Sequence, residues 1–523
     1  MPYKLTYSTM FDPPPEMHTR FEAALGEVRS GLGRRHSLHI AGKDLATGAF
    51  KDKRSPIDRE WLLGSFAQAS AEHVELAMRS ACDALPAWRA TPPPERIRLL
   101  RRVAQLIEER VYHIAAAVAL EVGKNRMEAL GEVQETADFF NAYCDSFEAQ
   151  GGFDHVLPND PLPNVVSRNR SVMKPYGVWV VINPFNFPFA LAGGPVAAAL
   201  VTGNTVVLKG ASETPWSGRL LADCLRDAGI PPGVFNYLAG PGAAIGDALV
   251  EHPLTSGITF TGSYETGMGI VRKLAAGRYP KPCIAEMGGK NACVVTANAD
   301  LETAAAGIVR SAFGMGGQKC SALSRLYVEE PVADALVQKL QQRMQAIGVG
   351  DPTRKENWLG PVVSENAQRK YRGYVDSLRN GGARLLHGGE VLASGDLARG
   401  YYAAPTLAEA PPEHPLWHEE MFLPILMLHR VKNLDAGIRH ANDSDLGLTA
   451  GVYGSASDVA EFLERIEAGV TYSNRPQGAT TGAWPGYQPF GGWKGSGNTG
   501  KAIASFYYLA QYLREQSQTV VES

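Results

Sequence analysis

The feature that most constrains the fold is a run of 34 residues without a charged side chain, from Pro175 to Leu208. A run of this length either crosses a membrane or lies inside a protein core. Four prolines and three asparagines interrupt it, and in hydrocarbon several of their backbone and amide groups would lack hydrogen-bond partners. We therefore expect a deeply buried strand, loop and helix, and no membrane contact.

Short β-rich segments alternate with helices within this run and after it. Strands are predicted at Val178–Ile182, Thr205–Leu208, Val234–Leu238 and Gly257–Phe260. A second alternating region extends from Asn291 to about Val470. Such alternation predicts an α/β protein with parallel, doubly wound sheets.

The two ends of the chain follow other patterns. Apolar residues recur at helical spacing over Ala71–Trp88, Pro94–Val122 and Glu128–Phe147. Between Phe153 and Asn169 the composition turns to Pro, Asn and Asp, which indicates an excursion from the main domain. Phe506–Val521 alternates in polarity and would be an unprotected edge alone, so we expect it to pair, with another subunit as the favoured partner.

The composition narrows the class of protein. A chain of 523 residues exceeds what one hydrophobic core fills, so two or more domains are expected. With 45% hydrophobic and 20% charged residues it is globular, and its net charge of −3 gives no reason to bind nucleic acid. Six cysteines without C-x-x-C spacing argue against disulfides or a metal site. With no apolar signal segment at the start, we expect a cytoplasmic protein.

Two glycine-rich turns follow predicted strands and open helices. The first, Gly240 to Gly246, has one residue too many for the G-x-G-x-x-G fingerprint, and an ordinary tight turn explains it equally well. The second, Phe260 to Gly267, repeats the arrangement in the next strand–helix unit. Two such turns in succession favour a pyrophosphate site at a helix N-terminus.

Cys320 is the candidate nucleophile. It follows Gly316-Gly317-Gln318-Lys319, a glycine-rich approach that suits backbone N–H groups around sulfur better than it suits core packing. The other five cysteines lie in apolar or helical contexts typical of inert, buried thiols. Because a free thiol has a pKa of about 8.5, it needs a nearby base or positive field to react at neutral pH.

Two further residues are candidates for the same chemistry. Glu286 stands at the end of an apolar stretch directly before two glycines and is the candidate base, although a lone glutamate is more often a solvated surface residue. Asn186 lies between aromatic residues and prolines and is the candidate oxyanion donor. A structural asparagine in a turn accounts for Asn186 equally well on local sequence alone.

Several stretches, in this order and spacing, resemble the aldehyde dehydrogenase superfamily from about residue 176 to 497. They are Asn186-Phe187-Pro188, Gly203-Asn204-Thr205-Val206-Val207-Leu208-Lys209, Phe260-Thr261-Gly262-Ser263, Glu286-Met287-Gly288-Gly289-Lys290, Gly317-Gln318-Lys319-Cys320, Glu420-Met421-Phe422 and Pro489-Phe490-Gly491-Gly492.

The resemblance implies oxidation of an aldehyde to a carboxylate through a thioester on Cys320. Glu286 would be the general base, and Asn186 with the Cys320 backbone N–H would form the oxyanion hole. The cofactor would be NAD, with NADP possible: Lys209 would contact the adenosine ribose, Ser263 the pyrophosphate and Glu420 the nicotinamide ribose. The implied cofactor-binding residues are Ile182, Pro184, Lys209, Ser212, Gly242, Gly246, Gly262, Ser263, Gly267, Glu420 and Phe422; no metal is implied.

The resemblance also implies an architecture. A Rossmann-type cofactor domain would comprise residues 1–153 and 174–285, and an α/β catalytic domain residues 286–480. Residues 154–173 and 498–523 would form a small β oligomerisation element that builds a homodimer or a larger homo-oligomer.

The sequence departs from the family pattern near the ribose. Gly210 follows Lys209 where the family usually has proline, and Ser212 stands where many NAD-using members carry glutamate. Glu213 comes one residue later and could restore the charge after a small shift. Leu423 replaces a common glycine after the Glu-x-Phe motif. These departures leave the choice between NAD and NADP open.

Within the superfamily the sequence is most similar to Δ1-pyrroline-5-carboxylate dehydrogenases, which oxidise L-glutamate γ-semialdehyde in proline catabolism. The similarity lies in Gly317-Gln318-Lys319-Cys320-Ser321-Ala322, Asn474-Arg475 and Thr481-Gly482-Ala483. It implies that Ser321, Gly482 and Ala483 donate to the substrate α-carboxylate. Glu135 would lie near the substrate, and Phe187 with Phe490 would flank its aliphatic chain.

Three alternatives remain open at this point. The loop from Pro476 to Thr480 is longer than that subgroup suggests, so another carboxylate-bearing or aromatic semialdehyde is the second substrate hypothesis. Release of the acyl group to coenzyme A is the second reaction hypothesis, against which Glu286 argues because it can activate water. A catalytically silent scaffold is the third, against which the joint presence of Cys320, Glu286 and Asn186 argues.

Overall fold

A computed structural model of the protein describes residues 3–161, 163–479 and 484–522. The elements of its N-terminal part are α1 (Pro15–Ser30), β1 (Arg34–His36), β2 (Leu38–Ile40), β3 (Lys43–Leu45), β4 (Phe50–Arg54), β5 (Leu62–Ala67), α2 (Ala71–Ala90), α3 (Pro93–Glu109), α4 (Val111–Val122), α5 (Arg126–Ala149) and β6 (Asp154–Leu157). The sequence predicts one continuous helical stretch over Pro94–Val122, but the chain turns at Arg110 between α3 and α4.

The next part alternates strands and helices as the sequence predicts. Its elements are β7 (Val166–Pro175), β8 (Val178–Ile182), α6 (Ala190–Val201), β9 (Thr205–Lys209), α7 (Pro215–Asp227), β10 (Phe235–Leu238), α8 (Gly242–Val250), β11 (Thr255–Thr261), α9 (Tyr264–Ala275) and β12 (Cys283–Glu286).

The remaining elements form the second alternating region and the C-terminal strand. They are β13 (Asn291–Val295), α10 (Leu301–Phe313), β14 (Leu323–Glu329), α11 (Glu330–Gln345), α12 (Glu365–Asn380), β15 (Arg384–His387), β16 (Val391–Leu392), β17 (Tyr402–Ala403), β18 (Thr406–Glu409), β19 (Ile425–Val431), α13 (Leu434–Asn442), β20 (Leu446–Gly447), β21 (Thr449–Tyr453), α14 (Ala456–Arg465), β22 (Val470–Ser473), β23 (Trp493–Lys494) and β24 (Leu513–Glu522).

The first large sheet has the strand order β12-β11-β8-β9-β10-β2-β3. The strands from β12 to β10 are mutually parallel, and β2 and β3 extend the sheet in antiparallel fashion. The register pairs Ile182 with both Lys209 and Phe260, and Thr261 with Glu286. These strands therefore end at one edge, where ligands bind in open α/β sheets.

The uncharged run forms the centre of this sheet and the helix behind it. Trp179, Val180 and Val181 of β8 have no exposed surface, and α6 is buried along nearly its whole length. The expected strand, loop and helix are confirmed. Among the described residues, no helix combines the length and apolarity that crossing a bilayer requires.

The second large sheet has the order β15-β18-β19-β14-β13-β21-β22, and only β15 runs antiparallel to its neighbour. Its central strands are apolar on both faces because helices cover both sides. With the first sheet, it confirms the α/β fold class.

The C-terminal segment has a partner strand within its own chain. β24 forms an antiparallel ladder with β7, from Leu513 opposite Pro175 to Glu522 opposite Val166, and β6 completes a three-stranded sheet. The expectation that the segment pairs is confirmed; because β24 is an edge strand of this sheet, its pairing with another subunit stays a prediction. The sequence pattern indicates only that this strand needs a partner. The ten-residue pairing between β7 and β24 provides one within the chain.

Candidate active site

A cleft of about 1390 Å³ opens where β8, β9 and β11 end. Most residues that the sequence implicates in cofactor binding and catalysis line it. They are Ile182, Pro184, Asn186, Lys209, Ser212, Gly242, Gly246, Gly262, Ser263, Cys320, Glu420 and Phe422. The cleft lies between the two large sheets, since its walls come from the ends of the first sheet and from loops of the second.

Gly267 does not line this cleft. It lies in α9, where a β-carbon would approach the Met287 side chain and the ring of Phe260. Its missing side chain thus lets α9 pack against the first sheet, which is a structural contribution rather than a contact with the cleft.

Cys320 is held at the cleft by its loop. Gly317 has a φ of 68°, and a β-carbon there would collide with the Leu423 carbonyl, so only glycine fits this turn. The Asn291 side chain donates to the carbonyls of Cys320 and Ala322 at 2.6 and 2.8 Å and anchors the following residues. Leu423 is buried and leaves the Gly317 contact intact, so this departure from the family pattern does not disturb the loop.

The electrostatics at Cys320 disfavour a free thiolate. Burial raises the pKa of the Cys320 thiol to about 12, and the carboxyl groups of Glu420 and Glu286 act in the same direction. The backbone N–H groups of Ser321 and Cys320 oppose that shift. The thiol therefore needs a proton acceptor when its sulfur attacks.

Glu286 is the last residue of β12 and provides such an acceptor. Its Oε2 is buried and, among the described residues, has no hydrogen-bond partner. Burial raises the pKa of Glu286 to about 8, and the Gly492 backbone N–H partly offsets this. A solvated surface position, the alternative interpretation of Glu286, is therefore wrong.

Asn186 is buried at the cleft wall. Its side-chain oxygen accepts from the backbone N–H of Phe187 at 3.1 Å, which fixes the amide plane. Because the oxygen is engaged, the NH₂ group is the end available to a ligand in the cleft. This orientation suits a donor to a developing oxyanion.

Glu420 closes the cleft on the side of the second sheet. Its Oε1 accepts from the Gly289 backbone N–H at 2.9 Å, and its other oxygen occupies the space that a β-carbon at Gly288 would take. Any side chain at position 288 would displace this carboxylate. Burial raises the pKa of Glu420 to about 7. Nearby, the rings of Phe185 and Phe422 meet edge to face at 5.8 Å.

Two helix N-termini face the opposite end of the cleft. α8 begins at Gly242, and Gly242 and Gly246 have open space where a β-carbon would be. α9 begins after Ser263, whose hydroxyl accepts from the Thr266 N–H at 3.4 Å. Positive helix ends with small residues before them suit an anionic group such as a pyrophosphate.

The two residues that the sequence suggests for contact with a ribose, Ser212 and Glu213, both line the cleft. The Ser212 hydroxyl donates to the Gly240 carbonyl at 3.2 Å, and the adjacent Glu213 lies near Lys209. Burial lowers the pKa of Lys209, and the Glu213 carboxylate opposes that shift. The departure at Ser212 therefore leaves a carboxylate in the neighbourhood, one residue further along.

The implied substrate residues that the structure describes do not line this cleft. The ring of Phe187 faces the Tyr7 ring at 6.1 Å, and the Lys124 Nζ lies 3.8 Å from its centroid. Glu135 on α5 is buried, as is Ser321, and Phe490 pairs with Ile503 through two backbone hydrogen bonds. Gly482 and Ala483 lie outside the described residues.

Sequence reasoning misses several residues of this region. Lys319 forms a buried ion pair with Glu128 at 2.6 Å, and Lys124 pairs with Glu132 at 2.5 Å. The spacing of Glu128, Glu132 and Glu135 on one face of α5, among apolar residues such as Leu130 and Val133, is a signal that could have found them. Tyr7 has no comparable signal, because only the folded chain brings it to α5.

Sequence reasoning also misses the residues that form the cleft wall opposite α9. Lys370 and Tyr374 of α12, His418 and Glu419 line the cleft, and the Tyr374 hydroxyl donates to Glu419 at 2.6 Å. Among the residues that the structure describes, no group of three or more His, Cys, Asp or Glu side chains is placed to hold a metal ion.

Comparisons with known proteins match this arrangement. The family model for the aldehyde dehydrogenase family matches residues 46–517. The chain is 39% identical over 513 residues to a 1-pyrroline-5-carboxylate dehydrogenase of Geobacillus kaustophilus, covering 96% of each, and 36% identical over 527 residues to 1-pyrroline-5-carboxylate dehydrogenase 2 of Bacillus subtilis, covering 100% of this chain and 99% of the relative. A solved 1-pyrroline-5-carboxylate dehydrogenase from Thermus with bound NAD has a TM-score of 0.92 at 33% identity, with 99% of both chains covered.

Proposed function

The chain belongs to the aldehyde dehydrogenase family and is an oxidoreductase that acts on aldehydes, and we propose that its substrate is L-glutamate γ-semialdehyde, oxidised to L-glutamate with NAD in proline catabolism. Cys320 and Asn186 line one cleft, and the Glu286 carboxyl is close enough to raise the pKa of the Cys320 thiol; together with the buried polar side chains around Phe187, this arrangement carries the proposal. Relatives that share more than a third of their residues along their whole length support this substrate.

NAD fits the cleft by the chemistry of its walls. The N-termini of α8 and α9 with Ser263 would hold the pyrophosphate, Lys209 with Ser212 or Glu213 the adenosine ribose, and Glu420 the nicotinamide ribose. The open space at Gly242 and Gly246 leaves room for phosphate to approach the backbone. When bound, NAD supplies the hydride acceptor.

The first half of the reaction forms a bond between Cys320 sulfur and the aldehyde carbon. Because the thiol is protonated at neutral pH, its proton must leave as sulfur attacks, and the unpartnered Glu286 carboxylate is the acceptor, directly or through water. Asn186 and the Cys320 backbone N–H donate to the oxygen that becomes negative. Loss of hydride from the same carbon restores the carbonyl as a thioester.

The second half hydrolyses that thioester. Glu286 first releases to solvent the proton that it took from Cys320, and then removes a proton from water as the oxygen attacks the thioester carbon. The carbon–sulfur bond breaks, the departing sulfur takes the proton back from Glu286, and the carboxylic acid loses its proton to give the carboxylate. A base with a free oxygen favours water as the acceptor over coenzyme A. In an assay, added coenzyme A should leave the rate and the product unchanged.

We also propose that the protein assembles through its three-stranded sheet into a homodimer or larger homo-oligomer. β6 and β24 are the two edge strands of this sheet, and their residues Val156, Val520 and Val521 are 85%, 60% and 61% exposed, which favours burial against another subunit. The proposed domains are residues 1–153 with 174–285 for the cofactor, 286–480 for catalysis, and 154–173 with 498–523 for assembly. Six free thiols favour a reducing, cytoplasmic setting.

A panel of aldehydes tests the substrate. Glutamate semialdehyde, succinate semialdehyde, an aromatic aldehyde and an uncharged aliphatic aldehyde are each assayed with NAD and NADP by absorbance of the reduced nicotinamide. Glutamate semialdehyde should give the highest kcat/KM. A higher value for the aromatic aldehyde would contradict the proposed substrate and leave the reaction class standing.

A further inference from the structure

A cluster of buried polar side chains lies on the side of Phe187 that faces α5. Three carboxyl groups on one face of α5, those of Glu128, Glu132 and Glu135, are at most 4% exposed. Lys319 neutralises the first and Lys124 the second. Within the described part of the chain, Glu135 has no basic partner at ion-pair distance, and its Oε2 accepts a hydrogen bond from the Tyr7 hydroxyl at 2.7 Å.

Tyr7 comes from a segment that precedes α1 and packs against this cluster. It is 2% exposed, and its ring meets Phe187 at 6.1 Å and Trp484 at 5.3 Å, both edge to face. The ring lies on Gly131 of α5, where a β-carbon would be 3.0 Å from the Tyr7 Cε1. Tyr7 therefore packs between Phe187, Trp484 and α5 and covers one side of the cluster.

Two polar contacts hold this segment in place. Lys4 pairs with Asp138 at 3.3 Å, and the same carboxylate accepts from the Trp484 indole N–H at 2.9 Å. Further along, the Arg475 guanidinium donates to the Ser8 hydroxyl at 2.8 Å. These contacts fix the segment against α5 and against Arg475 and Trp484, which flank the predicted substrate loop. Tyr7 therefore has a fixed position relative to Glu135.

We propose that Tyr7 is a positioning residue for substrate selection, which holds Glu135 so that its carboxylate pairs with the α-ammonium group of an amino-acid semialdehyde. The proposal rests on the proposed function and deepens it. Two of the three buried carboxylates have their own lysine, so the third is the one that an incoming cation can neutralise. A buried carboxylate is stable as an ion only with such a partner.

The groups around Glu135 support this account. Burial raises the pKa of Glu135 to about 8, Glu132 and Asp138 act in the same direction, and the Tyr7 hydroxyl and Lys124 lower it. An arriving ammonium group favours the charged carboxylate. Removing the Tyr7 hydroxyl removes one of the groups that stabilise that charge, so the pKa of Glu135 must rise further in its absence.

The test compares the full-length wild-type enzyme with Tyr7→Phe on two substrates. Glutamate semialdehyde carries the α-amine, and 5-oxopentanoate is the same chain without it. The variant should lose about tenfold in kcat/KM for glutamate semialdehyde at pH 7, mainly through KM, because a hydrogen bond to a charged group is lost. For 5-oxopentanoate the loss should stay below about twofold, as expected of a neutral contact.

The pH profile gives the second readout. The acid limb of kcat/KM for glutamate semialdehyde should move upward by about one pH unit in Tyr7→Phe. The substrate interconverts with its cyclic imine as its own amine titrates, and Glu286 titrates as well. Both effects are common to the two enzymes, so the variant-to-wild-type ratio at each pH removes them.

Further variants separate positioning from packing. In a Glu135→Gln background, Tyr7→Phe should have no additional selective effect. Gly131→Ala should reproduce part of the selective loss by moving the ring without removing the hydroxyl. Tyr371→Phe is the matched control, because it deletes a buried hydroxyl that donates to the Ala404 carbonyl at 2.9 Å in the other part of the fold.

The outcomes are distinct. Equal losses on both substrates, or an unchanged acid limb, would overturn the role of Tyr7 while wild-type oxidation of glutamate semialdehyde keeps the proposed function. A wild-type enzyme that does not oxidise glutamate semialdehyde would overturn both.

Discussion

Replacing Glu286 by glutamine tests the central chemical assignment. The carboxylate ends β12 with one buried oxygen that has no partner among the described residues, and its pKa is raised to about 8 by burial. Glutamine keeps the shape and removes the base. Because Glu286 acts when it is deprotonated, the wild-type rate should rise with pH through that pKa, and the variant should lack this rise.

The magnitude follows from the pKa. With a pKa of about 8, roughly 9% of Glu286 is ionised at pH 7 and roughly 91% at pH 9, so kcat should rise about tenfold across this range. The pKa of Cys320, about 12, lies above the range. Glu420, with a pKa of about 7, changes its ionised fraction only about twofold across this range, which is too little for a tenfold rise.

Stopped-flow absorbance of the reduced nicotinamide provides the assay. In Glu286→Gln we expect a first-turnover burst, followed by a steady rate at least tenfold below wild type at pH 9, because water lacks its base during hydrolysis. Glu302→Gln on the surface of α10 is the matched control. A flat wild-type kcat between pH 7 and 9, or a wild-type steady rate in the variant, would contradict the role of Glu286 as the base.

Three other substitutions have defined outcomes. Gly288→Ala should raise the KM for NAD at least tenfold with a smaller change in kcat, because the new β-carbon displaces the Glu420 carboxylate. An unchanged KM would show that Glu420 does not bind the nicotinamide ribose. Ser212→Glu should lower activity with NADP selectively, since a carboxylate repels a 2′-phosphate. Equal effects on NAD and NADP would indicate that Glu213, not Ser212, faces the adenosine ribose. Ser321→Ala should weaken the preference for glutamate semialdehyde and leave butanal oxidation nearly unchanged, as measured by kcat/KM.

The sequence predicts the parts of the fold that depend on local pattern. β8 begins and ends at the predicted residues because an uncharged, β-branched run has no stable alternative to burial. The break at Arg110 was not predictable from periodicity, since apolar residues continue at helical spacing on both sides of it. The partner of β24 depends on a strand more than 300 residues away, and no local pattern reports such a distance.

The candidate site also has some residues that local sequence predicts and others that only the fold reveals. Cys320 and the glycine-rich turns carry local signals: Gly316 and Gly317 before Cys320 adopt positive φ angles, and Gly242 and Gly246 leave open space beside the start of α8. Gly267 carries the same signal, yet it packs against Met287 rather than lining the cleft. The pairs of Lys319 with Glu128 and of Tyr7 with Glu135 join residues that are 191 and 128 positions apart. Only the fold brings such residues together.

The most direct test of the account compares kcat/KM for glutamate semialdehyde with that for pentanal in the wild-type enzyme with NAD. The two share a five-carbon aldehyde chain, and only the first carries the charged groups that the pocket would bind. Two hydrogen bonds to charged groups, at about 1.5 kcal/mol or more each, predict a ratio of at least about a hundred. A ratio near one would contradict the proposed substrate.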